Sequence, residues 1–399
     1  MRVSVVGQGY VGLTIAISAA NSGHRVKGYD FNAKIVSQLN LGESHIEGIE
    51  SSLVKSLVKN QAYRATSDPR ELHGSEVIVI AVPTPLDVNR KPDLKYIEAA
   101  VSTIVENIHH KSLIINESTS FPGTLRNVIA SEIESRSGIL HLYAASPERV
   151  DPGNGIWGTK NTPRLVSGLS EEATNMAREF YSSFCDSIVV TSSPEVAEMA
   201  KLFENTFRQV NIALVNEFAQ IAHALKIKPR EVIDAAGTKP FGFMKFLPGA
   251  GVGGHCIPVD PSYLSFIAES VGVPATFIER ANTVNLEMPR YVVDRIKNAN
   301  SGELNGKSVV VIGVSYKADV ADVRETPAEL VIDLLREAGA LVTWHDELVQ
   351  SWRGEGSANI EGNEIAVVLM VHSSFDQNKL SDIPYIFDCT GKIANSDGI

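Results

Sequence analysis

The segment Arg2–Gly12, with the sequence RVSVVGQGYVG, decides the fold of the first part of the chain. Its apolar beginning, residues 2–6, predicts a short buried strand, and the small and apolar residues Leu13–Asn21 predict a helix directly after it. Arg25–Tyr29 predicts a second strand, which ends at Asp30. These segments together predict one strand–helix–strand unit with a glycine-rich turn after its first strand.

The three glycines of this turn, Gly7, Gly9 and Gly12, have the spacing of a dinucleotide-binding motif. The first permits a tight turn, the second lets a pyrophosphate approach the backbone, and the third lets the helix pack closely on the strand. Asp30 can accept hydrogen bonds from a ribose diol and would repel a 2′-phosphate, which favours NAD over NADP. The alternative is a tight strand–helix turn that binds no nucleotide.

The rest of the chain alternates predicted strands and helices, except in its middle. Ser193–Leu225 lacks any strand pattern and predicts a helix of about 45 Å at 1.5 Å per residue. Further strands are predicted at Glu76–Val82, Ser112–Asn116, Leu140–Ala144, Ser308–Gly313, Leu341–His345, Ile365–Val371 and Tyr385–Asp388. Further helices are predicted at Asp93–Ile108, Gly123–Ser135, Glu231–Ala236, Pro274–Asn298 and Thr326–Ala338.

This pattern predicts an α/β fold class, with two Rossmann-like doubly wound lobes joined by a long central helix and a helical middle domain. The polar segment 300–306 separates the middle from the last lobe, in which Val309–Gly313 echoes Val3–Gly7. The predicted domains are an NAD-binding domain at 1–191, a central helical domain at 192–300 and a C-terminal domain at 301–399.

Composition excludes several classes of protein. The chain has 399 residues, of which 44% are hydrophobic and 21% are charged, which is typical of a soluble globular protein with a sizeable core. A net charge of −11 without a basic stripe excludes a nucleic-acid-binding surface, and no apolar run is long enough for a membrane span. Three widely spaced cysteines form neither a disulfide framework nor a zinc site, so we expect a cytoplasmic protein without a metal.

The segment Gly249–Pro261, with the sequence GAGVGGHCIPVDP, carries the most chemical information. A glycine-rich loop can wrap closely around a ligand and expose the thiol of Cys256, and Asp260 follows four residues later. This context favours a nucleophilic cysteine over a buried structural one. His255 either tunes the thiol or only forms hydrogen bonds within the loop.

Lys201 and Asn205 are four residues apart on the predicted long helix and therefore share one face. They can direct a cation and an amide at a developing oxyanion. Glu198 and Glu204 lie near them in sequence and support the alternative, which is a solvated charged face.

Thr119 and Glu148 each follow a predicted strand. In a doubly wound sheet, ligands bind beyond the carboxyl ends of the strands, so both residues are expected at the cofactor crevice. The alternative for either residue is ordinary turn or capping chemistry.

Taken together, these segments resemble the nucleotide-sugar 6-dehydrogenase family. The matching motifs occur in order and span nearly the whole chain: Gly7–Gly12, Val82–Pro85, Ser118-Thr119, Ser146–Gly153, Lys201 with Glu204-Asn205, Gly251–Pro261, Tyr316-Lys317 and Asp322–Pro327. Within the family, the UDP-N-acetylglucosamine 6-dehydrogenase branch is most similar at 146–153, 238–244 and 255–261.

The resemblance implies a four-electron oxidation in which the sugar's C6 alcohol becomes a carboxylate and two NAD are reduced. Cys256 would form a thiohemiacetal and then a thioester, Lys201 and Asn205 would stabilise the oxyanion, and Asp260 would orient water. Thr119 and Glu148 would place water and substrate.

The resemblance also implies the ligand contacts and a homodimer formed through the central helix. The implied NAD contacts are Gly7, Gly9, Tyr10, Val11, Gly12, Asp30, Pro83, Thr84, Thr119, Glu148 and Arg324. The implied UDP-sugar contacts are Glu148, Arg149, Lys201, Asn205, Phe246, Leu247, Gly249, Gly253 and Lys317. Without a ligand, Lys317 would lie at a strand end and Arg324 would pair with Glu325.

Two departures from the family pattern bear on the substrate. Ala250 replaces a common proline, and the chain ends within eight residues of Gly391, so we expect a short C-terminal lobe. UDP-glucose, UDP-N-acetylmannosamine and other nucleotide sugars are alternative substrates. A two-electron hydroxyacid dehydrogenase would not need Cys256, and a non-catalytic sensor would be expected to lose Cys256, Lys201 or Asp260.

Overall fold

A computed structural model of the chain describes residues 1–151, 154–254 and 256–399. His255 and the end of the predicted motif 146–153 lie outside the described residues. The chain folds as two compact units. The first unit comprises Met1–Glu204 and Ser262–Gly272, and the second comprises Asn205–Pro261 and Val273–Ile399.

The first unit contains a sheet that has eight strands within the described residues, in the order β3-β2-β1-β4-β5-β6-β7-β8. The strands are β1 Arg2–Val6, β2 Arg25–Tyr29, β3 Tyr63–Thr66, β4 Val77–Ile80, β5 Leu113–Asn116, β6 Leu142–Ala145, β7 Arg164–Gly168 and β8 Ile188–Val190. All neighbours pair in parallel except β6 and β7. The order of the first six strands is that of the Rossmann fold.

Helices connect these strands and cover both faces of the sheet. They are α1 Tyr10–Asn21, α2 Ala33–Asn40, α3 Ser51–Lys59, α4 Lys95–Asn107, α5 Ser131–Ser137 and α6 Glu171–Ser182. Alternate residues of β1 belong to different apolar clusters, with Val3 and Val5 in one and Val6 in the other. A strand buried on both faces explains why residues 2–6 carry an apolar run rather than an alternating pattern.

A helix of 31 residues, α7 Pro194–Ala224, contains the boundary between the two units, after Glu204. The predicted helix Ser193–Leu225 is thus correct to within one residue at each end. The helices that follow are α8 Pro229–Gly237, α9 Asp260–Ser270 and α10 Thr276–Ala299. They confirm the expected helical middle of the chain.

The second unit contains a parallel sheet of five strands in its described residues, in the order β10-β9-β13-β14-β15. The elements of this region are β9 Ser308–Ile312, α11 Pro327–Glu337, β10 Leu341–His345, β11 Ser351–Trp352, β12 Glu355–Gly356, β13 Ile365–Val368, β14 Tyr385–Asp388 and β15 Asp397–Gly398. Numbered within this sheet alone, the order is 2-1-3-4-5, the second common doubly wound arrangement. Its two buried faces confirm the predicted second α/β lobe.

Several elements depart from the predictions. The first helix begins at Tyr10 rather than Leu13, because Gly9 already adopts the N-cap position. The predicted helix Gly123–Ser135 is a π-helical segment, Leu125–Ala130, which continues into α5. Several elements carry no prediction: the strands β3, β7, β8, β11, β12 and β15 and the helices α2, α3, α6 and α9.

Candidate active site

The glycine-rich turn after β1 has the backbone that a dinucleotide site requires. Gly7 has a positive φ of 92°, and its N–H donates to Tyr29 O at 2.8 Å. A Cβ at Gly12 would overlap Gly7 O, whereas a Cβ at Gly9 would meet no atom within 4 Å. Gly7 and Gly12 are therefore needed for the turn itself, while Gly9 leaves open space at the N-terminus of α1. That space and the N–H groups of the first helical turn fit the pyrophosphate of NAD.

Asp30 lies at the end of β2, on the same edge of the sheet, as predicted. Its carboxylate accepts hydrogen bonds from Gln8 N and Asn32 N, both at 2.9 Å. Gln8 is fully buried, and its side-chain oxygen accepts a hydrogen bond from the hydroxyl of Tyr63. The acidic group is thus fixed against the glycine turn, where it can accept hydrogen bonds from a ribose.

The loops that follow β4 and β5 are joined by one hydroxyl. Ser118 Oγ accepts from Val82 N and donates to Val82 O, both at 2.9 Å. This bridge holds the predicted cofactor residues Pro83 and Thr84 beside Thr119, and Thr84 is buried. Thr119 is partly exposed at the carboxyl edge of the sheet.

Glu148, after β6, is part of a buried charge network. Its carboxylate accepts hydrogen bonds from Arg149 N at 2.7 Å and Val150 N at 2.8 Å, and forms an ion pair with Arg164 at 2.6 Å. Burial alone would raise the pKa of Glu148, but Arg164 and the N–H donors outweigh it, so the pKa is lowered. Glu148 is therefore a fixed carboxylate, suited to accept hydrogen bonds from water or substrate.

Glu117 binds the other side of the same guanidinium, with Arg164 Nη1 at 2.9 Å from Glu117 Oε2. The hydroxyl of Tyr181 donates to the second oxygen of Glu117. Burial raises the pKa of Glu117 to about 7, and Arg164 only partly offsets this effect. Arg164 is consequently shared by two buried carboxylates.

Arg149, a predicted substrate contact, is held by the chain itself. Its Nη2 lies 2.6 Å from a carboxylate oxygen of Glu204, and its Nη1 donates to Pro163 O at 2.7 Å. Glu204 is thus paired with this arginine. A substrate phosphate would share the guanidinium with these partners.

The inward face of α7 carries the polar residues that the spacing predicted. Lys201, Asn205 and Gln209 are buried at intervals of four residues. Glu198 is also buried, which is inconsistent with a solvated charged face, and its carboxylate accepts from Gly123 N at 2.7 Å and Leu125 N at 2.9 Å. Burial raises the pKa of Glu198 to about 7 against the effect of these donors.

The second unit brings together three predicted catalytic residues. Cys256 is exposed, and its carbonyl oxygen accepts hydrogen bonds from Val259 N at 3.1 Å and Asp260 N at 2.9 Å. This turn leads directly into α9 at Asp260, whose buried carboxylate accepts a hydrogen bond from Asn205 Nδ2. The backbone of exposed Cys256 is thus hydrogen-bonded to the backbone of Asp260, whose buried carboxylate is bonded to the Asn205 amide.

Two of the glycines before Cys256 pack closely against Tyr316. A Cβ at Gly253 would lie 2.7 Å from Tyr316 Cβ, and a Cβ at Gly254 would lie 2.8 Å from the ring of Tyr316. Gly254 N donates to Arg324 O at 3.0 Å. The missing side chains of Gly253 and Gly254 thus permit close packing on Tyr316, and the contact of this loop with a ligand stays a prediction.

Arg324 lies beside the cysteine loop, and its guanidinium forms an ion pair with Asp322 rather than with Glu325. The pKa of Arg324 is raised, first by its hydrogen bond to Asp322 and in smaller part by the charges of Tyr316 and Cys256. The guanidinium of Arg324 is thus held by Asp322, while its carbonyl oxygen holds the cysteine loop.

The segment 246–249, which carries three of the predicted UDP-sugar contacts, is anchored at its end. Gly249 N donates to Asn216 Oδ1 at 2.9 Å, so this N–H is engaged within the chain. Phe246 packs edge-on against Phe207 with ring centroids 5.9 Å apart, and Leu247 is exposed. Lys317 is partly exposed in the loop after β9.

Three family models match the chain in succession. They describe the NAD binding domain, the central domain and the UDP binding domain of the UDP-glucose/GDP-mannose dehydrogenase family, at residues 1–185, 195–287 and 310–395. A protein named UDP-N-acetyl-D-mannosamine dehydrogenase from Pyrococcus horikoshii is 35% identical over 386 residues, which cover 94% of this chain and 90% of that protein. The chain belongs to this family.

Other relatives of this dehydrogenase support the same assignment. Protein CapL from Staphylococcus aureus is 34% identical over 99% of this chain and 97% of its own length. The solved structure of the P. horikoshii UDP-N-acetylmannosamine dehydrogenase has a TM-score of 0.91 at 32% identity, and covers 100% of this chain and 99% of that one. A UDP-glucose dehydrogenase from Pyrobaculum islandicum has a TM-score of 0.88 at 26% identity, with coverages of 97% and 94%.

The comparisons confirm an NAD-dependent nucleotide-sugar 6-dehydrogenase with a UDP-binding domain. The relatives described above from P. horikoshii are named for UDP-N-acetylmannosamine, whereas the sequence motifs suggested UDP-N-acetylglucosamine. Among the described residues, no helix of this dehydrogenase has the length and apolar character needed to cross a membrane.

The sequence did not identify Gln8, Glu117, Arg164 and Tyr181 as residues of the site. Arg164 could have been suspected, because this charged residue directly precedes the apolar pair Leu165-Val166. A buried arginine requires acidic partners, and its partners are 47 and 16 residues away in sequence.

Proposed function

We propose that this dehydrogenase oxidises the C6 hydroxymethyl group of UDP-N-acetyl-D-mannosamine to a carboxylate, with reduction of two NAD. The observation that carries the proposal is the exposed thiol of Cys256, in a turn that is hydrogen-bonded to Asp260 and, through it, to Asn205. The relatives named for this substrate, which align over nearly the whole chain, support the choice of sugar.

In the proposed mechanism, the protein's own residues bind the intermediates covalently, orient water and stabilise developing charge. NAD, when bound, takes up the hydride that leaves C6 in each of the two oxidation steps. Cys256 Sγ adds to the C6 aldehyde to form a thiohemiacetal, whose oxidation leaves a thioester. Water then attacks the thioester carbon, the C–S bond breaks, and the carboxylate leaves while the thiol is restored.

The surrounding polar residues have complementary roles in this proposal. Lys201 and Asn205, one turn apart on α7, stabilise negative charge on the C6 oxygen. Asp260 orients the attacking water, and its hydrogen bond to Asn205 fixes both groups. Thr119 and Glu148 place water and substrate, and the ion pair with Arg164 keeps Glu148 ionised for this role.

The remaining predicted contacts are retained as proposals. We propose that NAD is held by the glycine turn, by Asp30 and by the loops after β4 and β5, that is, by Gly7, Gly9, Tyr10, Val11, Gly12, Asp30, Pro83, Thr84 and Thr119, with Glu148 and Arg324 as further contacts. The nucleotide sugar is bound by Glu148, Arg149, Lys201, Asn205, Phe246, Leu247, Gly249, Gly253 and Lys317. In this proposal Lys317 and Arg324 supply the positive charge that a chain of net charge −11 must concentrate locally.

A panel of UDP-sugars tests the proposed reaction. Purified protein is incubated with NAD and, separately, with UDP-N-acetylmannosamine, UDP-N-acetylglucosamine and UDP-glucose, and NADH and product mass are measured. We expect two NADH per sugar and a carboxylate product, with the highest kcat/KM for UDP-N-acetylmannosamine. One NADH per sugar with free aldehyde would overturn the four-electron mechanism, and preference for another sugar would overturn the substrate assignment alone.

We also propose that the dehydrogenase is a cytoplasmic homodimer formed through α7. This helix exposes apolar side chains at helical spacing along its length: Val196, Met199, Phe203, Phe207, Leu214 and Ile221. Phe203 and Leu214 are 64% and 61% exposed. An apolar stripe of this length is rarely left in water by a monomer, and a second copy of the same helix is its natural complement.

Sedimentation analysis tests the dimer. The wild type is expected to have twice the 43.2 kDa mass of the chain. Phe203→Glu combined with Leu214→Glu is expected to give monomers, because facing carboxylates would be buried without partners. Val88→Glu, at a residue that is 99% exposed and outside α7, is the matched control and should leave the dimer intact. A wild type that sediments as a monomer would refute the proposal.

A further inference from the structure

A buried polar cluster lies where the carboxyl ends of three strands of the second unit meet. Asp346 follows β10, His372 lies beyond β13, and Ser315 lies in the loop after β9. Asp346 and His372 are 1% and 2% exposed. His372 Nε2 lies 3.0 Å from Asp346 Oδ1 and 3.2 Å from Ser315 Oγ. None of these residues belongs to the site described above.

Asp346 occupies the same topological position as Asp30 of the first unit, but it has a different task. Asp30 accepts a hydrogen bond from the turn after β1, and Asp346 accepts hydrogen bonds from Val314 N at 2.9 Å and Ser315 N at 3.2 Å in the turn after β9. In the second unit, His372 covers this carboxylate. Asp346 therefore holds the β9 loop in place instead of being offered to a ribose.

The hydrogen bonds of His372 define its protonation state. Its Nδ1 accepts a hydrogen bond from Asp319 N at 2.9 Å, so this nitrogen carries no proton. The ring proton is therefore on Nε2, which donates to Asp346. If His372 gains a second proton, Nδ1–H and Asp319 N–H become two facing donors and their hydrogen bond is lost.

The side chain of Asp319 forms hydrogen bonds with Ser373, the residue that follows His372 in the loop after β13. Its Oδ1 accepts hydrogen bonds from Ser373 N at 2.7 Å and Ser373 Oγ at 2.8 Å. Asp319 has a left-handed backbone with a φ of 61°. A residue other than glycine adopts this conformation at an energetic cost that surrounding contacts must offset. The reciprocal hydrogen bonds to His372 and Ser373 supply such contacts.

The segment held in this way, residues 315–324, carries Lys317 and Arg324, and its Arg324 carbonyl accepts the N–H of Gly254 beside the cysteine loop. We propose that His372 is a positioning residue that, together with Asp319, holds this segment in its nucleotide-binding arrangement only while the imidazole is neutral. The inference rests on the proposed function, in which Lys317 contacts the UDP-sugar. It gives the active site a dependence on pH that originates in a side chain remote from the chemistry.

The charges around His372 determine the pH range of this effect. Asp346 and Glu347 face it from the turn after β10, Asp319 from the loop after β9, and Lys392 lies nearby, donating to Val371 O at 3.3 Å. Burial lowers the pKa of His372, but the three carboxylates outweigh it, so the pKa is raised. A raised pKa means that protonation stabilises the folded unit around Asp346. Protonation also removes the Nδ1 acceptor of Asp319 N–H, so acidification releases the segment 315–324 without unfolding the unit.

Two substitutions distinguish the effect of the hydrogen bond from Asp319 N from the effect of the positive charge on a protonated His372. His372→Asn places an amide oxygen near the position of Nδ1, where it accepts Asp319 N–H at every pH. His372→Leu removes the acceptor altogether. UDP binding is measured by calorimetry from pH 5.5 to 8.5 for wild type and both variants, and NAD binding is measured on the same samples as a control for folding.

Between pH 8.5 and pH 5.5, we expect the affinity of the wild type for UDP to fall about tenfold more than the affinity of His372→Asn. A tenfold loss corresponds to a wild type in which the segment 315–324 is ordered in about one molecule in ten at the lower pH. His372→Leu should bind UDP about tenfold more weakly at pH 8.5, while NAD binding stays unchanged in all three proteins. Comparison at equal pH cancels the protonation of UDP itself.

Hydrogen–deuterium exchange without ligand tests the positioning role separately from the proposed function. At equal pH, a peptide covering 314–324 should exchange faster in His372→Leu than in wild type and His372→Asn. Unchanged exchange of this peptide in His372→Leu would overturn the inference, whether or not the protein binds UDP. Faster exchange together with no UDP binding by the wild type would instead overturn the proposed function, and identical pH dependence of UDP affinity in wild type and His372→Asn would overturn the protonation mechanism.

Discussion

Replacing Cys256 with serine is expected to reduce turnover by at least about a thousandfold while NAD and UDP-sugar binding persist. The substitution changes one atom on an exposed side chain, so neither the turn that begins α9 nor the hydrogen bond between Asn205 and Asp260 is disturbed. A serine hydroxyl is not deprotonated near neutral pH without a dedicated base, and it adds poorly to the aldehyde. Steady-state NADH production and calorimetric binding measure the two properties separately.

The buried cysteines provide the matched controls. Burial raises the pKa of Cys185 to about 11 and also raises the pKa of Cys389. Cys185→Ser makes the same atomic change at a thiol that donates to Thr159 O inside the fold, and it should leave kcat within about twofold of wild type. Iodoacetamide at neutral pH should modify Cys256 and spare the other two. Wild-type turnover by Cys256→Ser would remove the nucleophile from the mechanism.

The strands and helices that the sequence predicted are those in which the spacing of apolar residues shows which faces of the element are buried. The strands β1, β4 and β13 are apolar because both of their faces are buried, and α7 shows the periodicity of a long helix with one buried face. Burial within one element is visible in the order of apolar and polar residues along a short stretch of sequence. This is why the two α/β lobes and the helical middle were predictable.

The elements without a prediction depend on distant partners. The strand β7 begins with Arg164, a residue that propensity assigns to the surface, and it is buried only because Glu117 and Glu148 neutralise it. The strand β8 is apolar but has only three residues, and two of them are exposed, so its pattern is too short to predict a strand. Contacts between residues that are remote in sequence have no signature in a single chain.

The candidate site shows the same division. Cys256, Asp260 and the glycine turn at residues 7–12 are motifs of adjacent residues, and the structure places them as a turn that exposes a thiol and a turn that opens a helix. The packing of Gly253 against Tyr316 was not predicted, because Tyr316 follows β9 far along the chain. His372 and Asp346 were overlooked for the same reason.

Arg164→Met is expected to lower the free energy of unfolding by about 3–5 kcal/mol at pH 8, because it leaves Glu117 and Glu148 buried without their shared cation. Methionine has similar length, so the loss is one of charge rather than of volume. Exposed Arg178, on α6, is the matched control, and Arg178→Met should change stability by less than about 0.5 kcal/mol. Urea denaturation followed by circular dichroism measures both.

The pH dependence distinguishes lost charge from lost packing. In the wild type, the folded-state pKa of Glu117, about 7, exceeds its ordinary value of 4.5, so its contribution to stability decreases as pH rises through this interval. The lowered pKa of Glu148 has the opposite effect, since its stabilisation is present above its ordinary pKa and is lost as pH falls below it. Without Arg164, both carboxyls have raised pKa values, and both favour the fold only when protonated.

The destabilisation by Arg164→Met should therefore be smaller at pH 5 than at pH 8, and adding Glu117→Gln should recover part of it at pH 8. Equal destabilisation at the two pH values would mean that packing, not charge, determines the effect. Because Arg164 also fixes the carboxylate of Glu148, the folded fraction of the variant should show a reduced kcat even at pH values where its stability approaches that of the wild type. A kcat that recovers fully with stability would show that Glu148 needs no ion pair to place water and substrate.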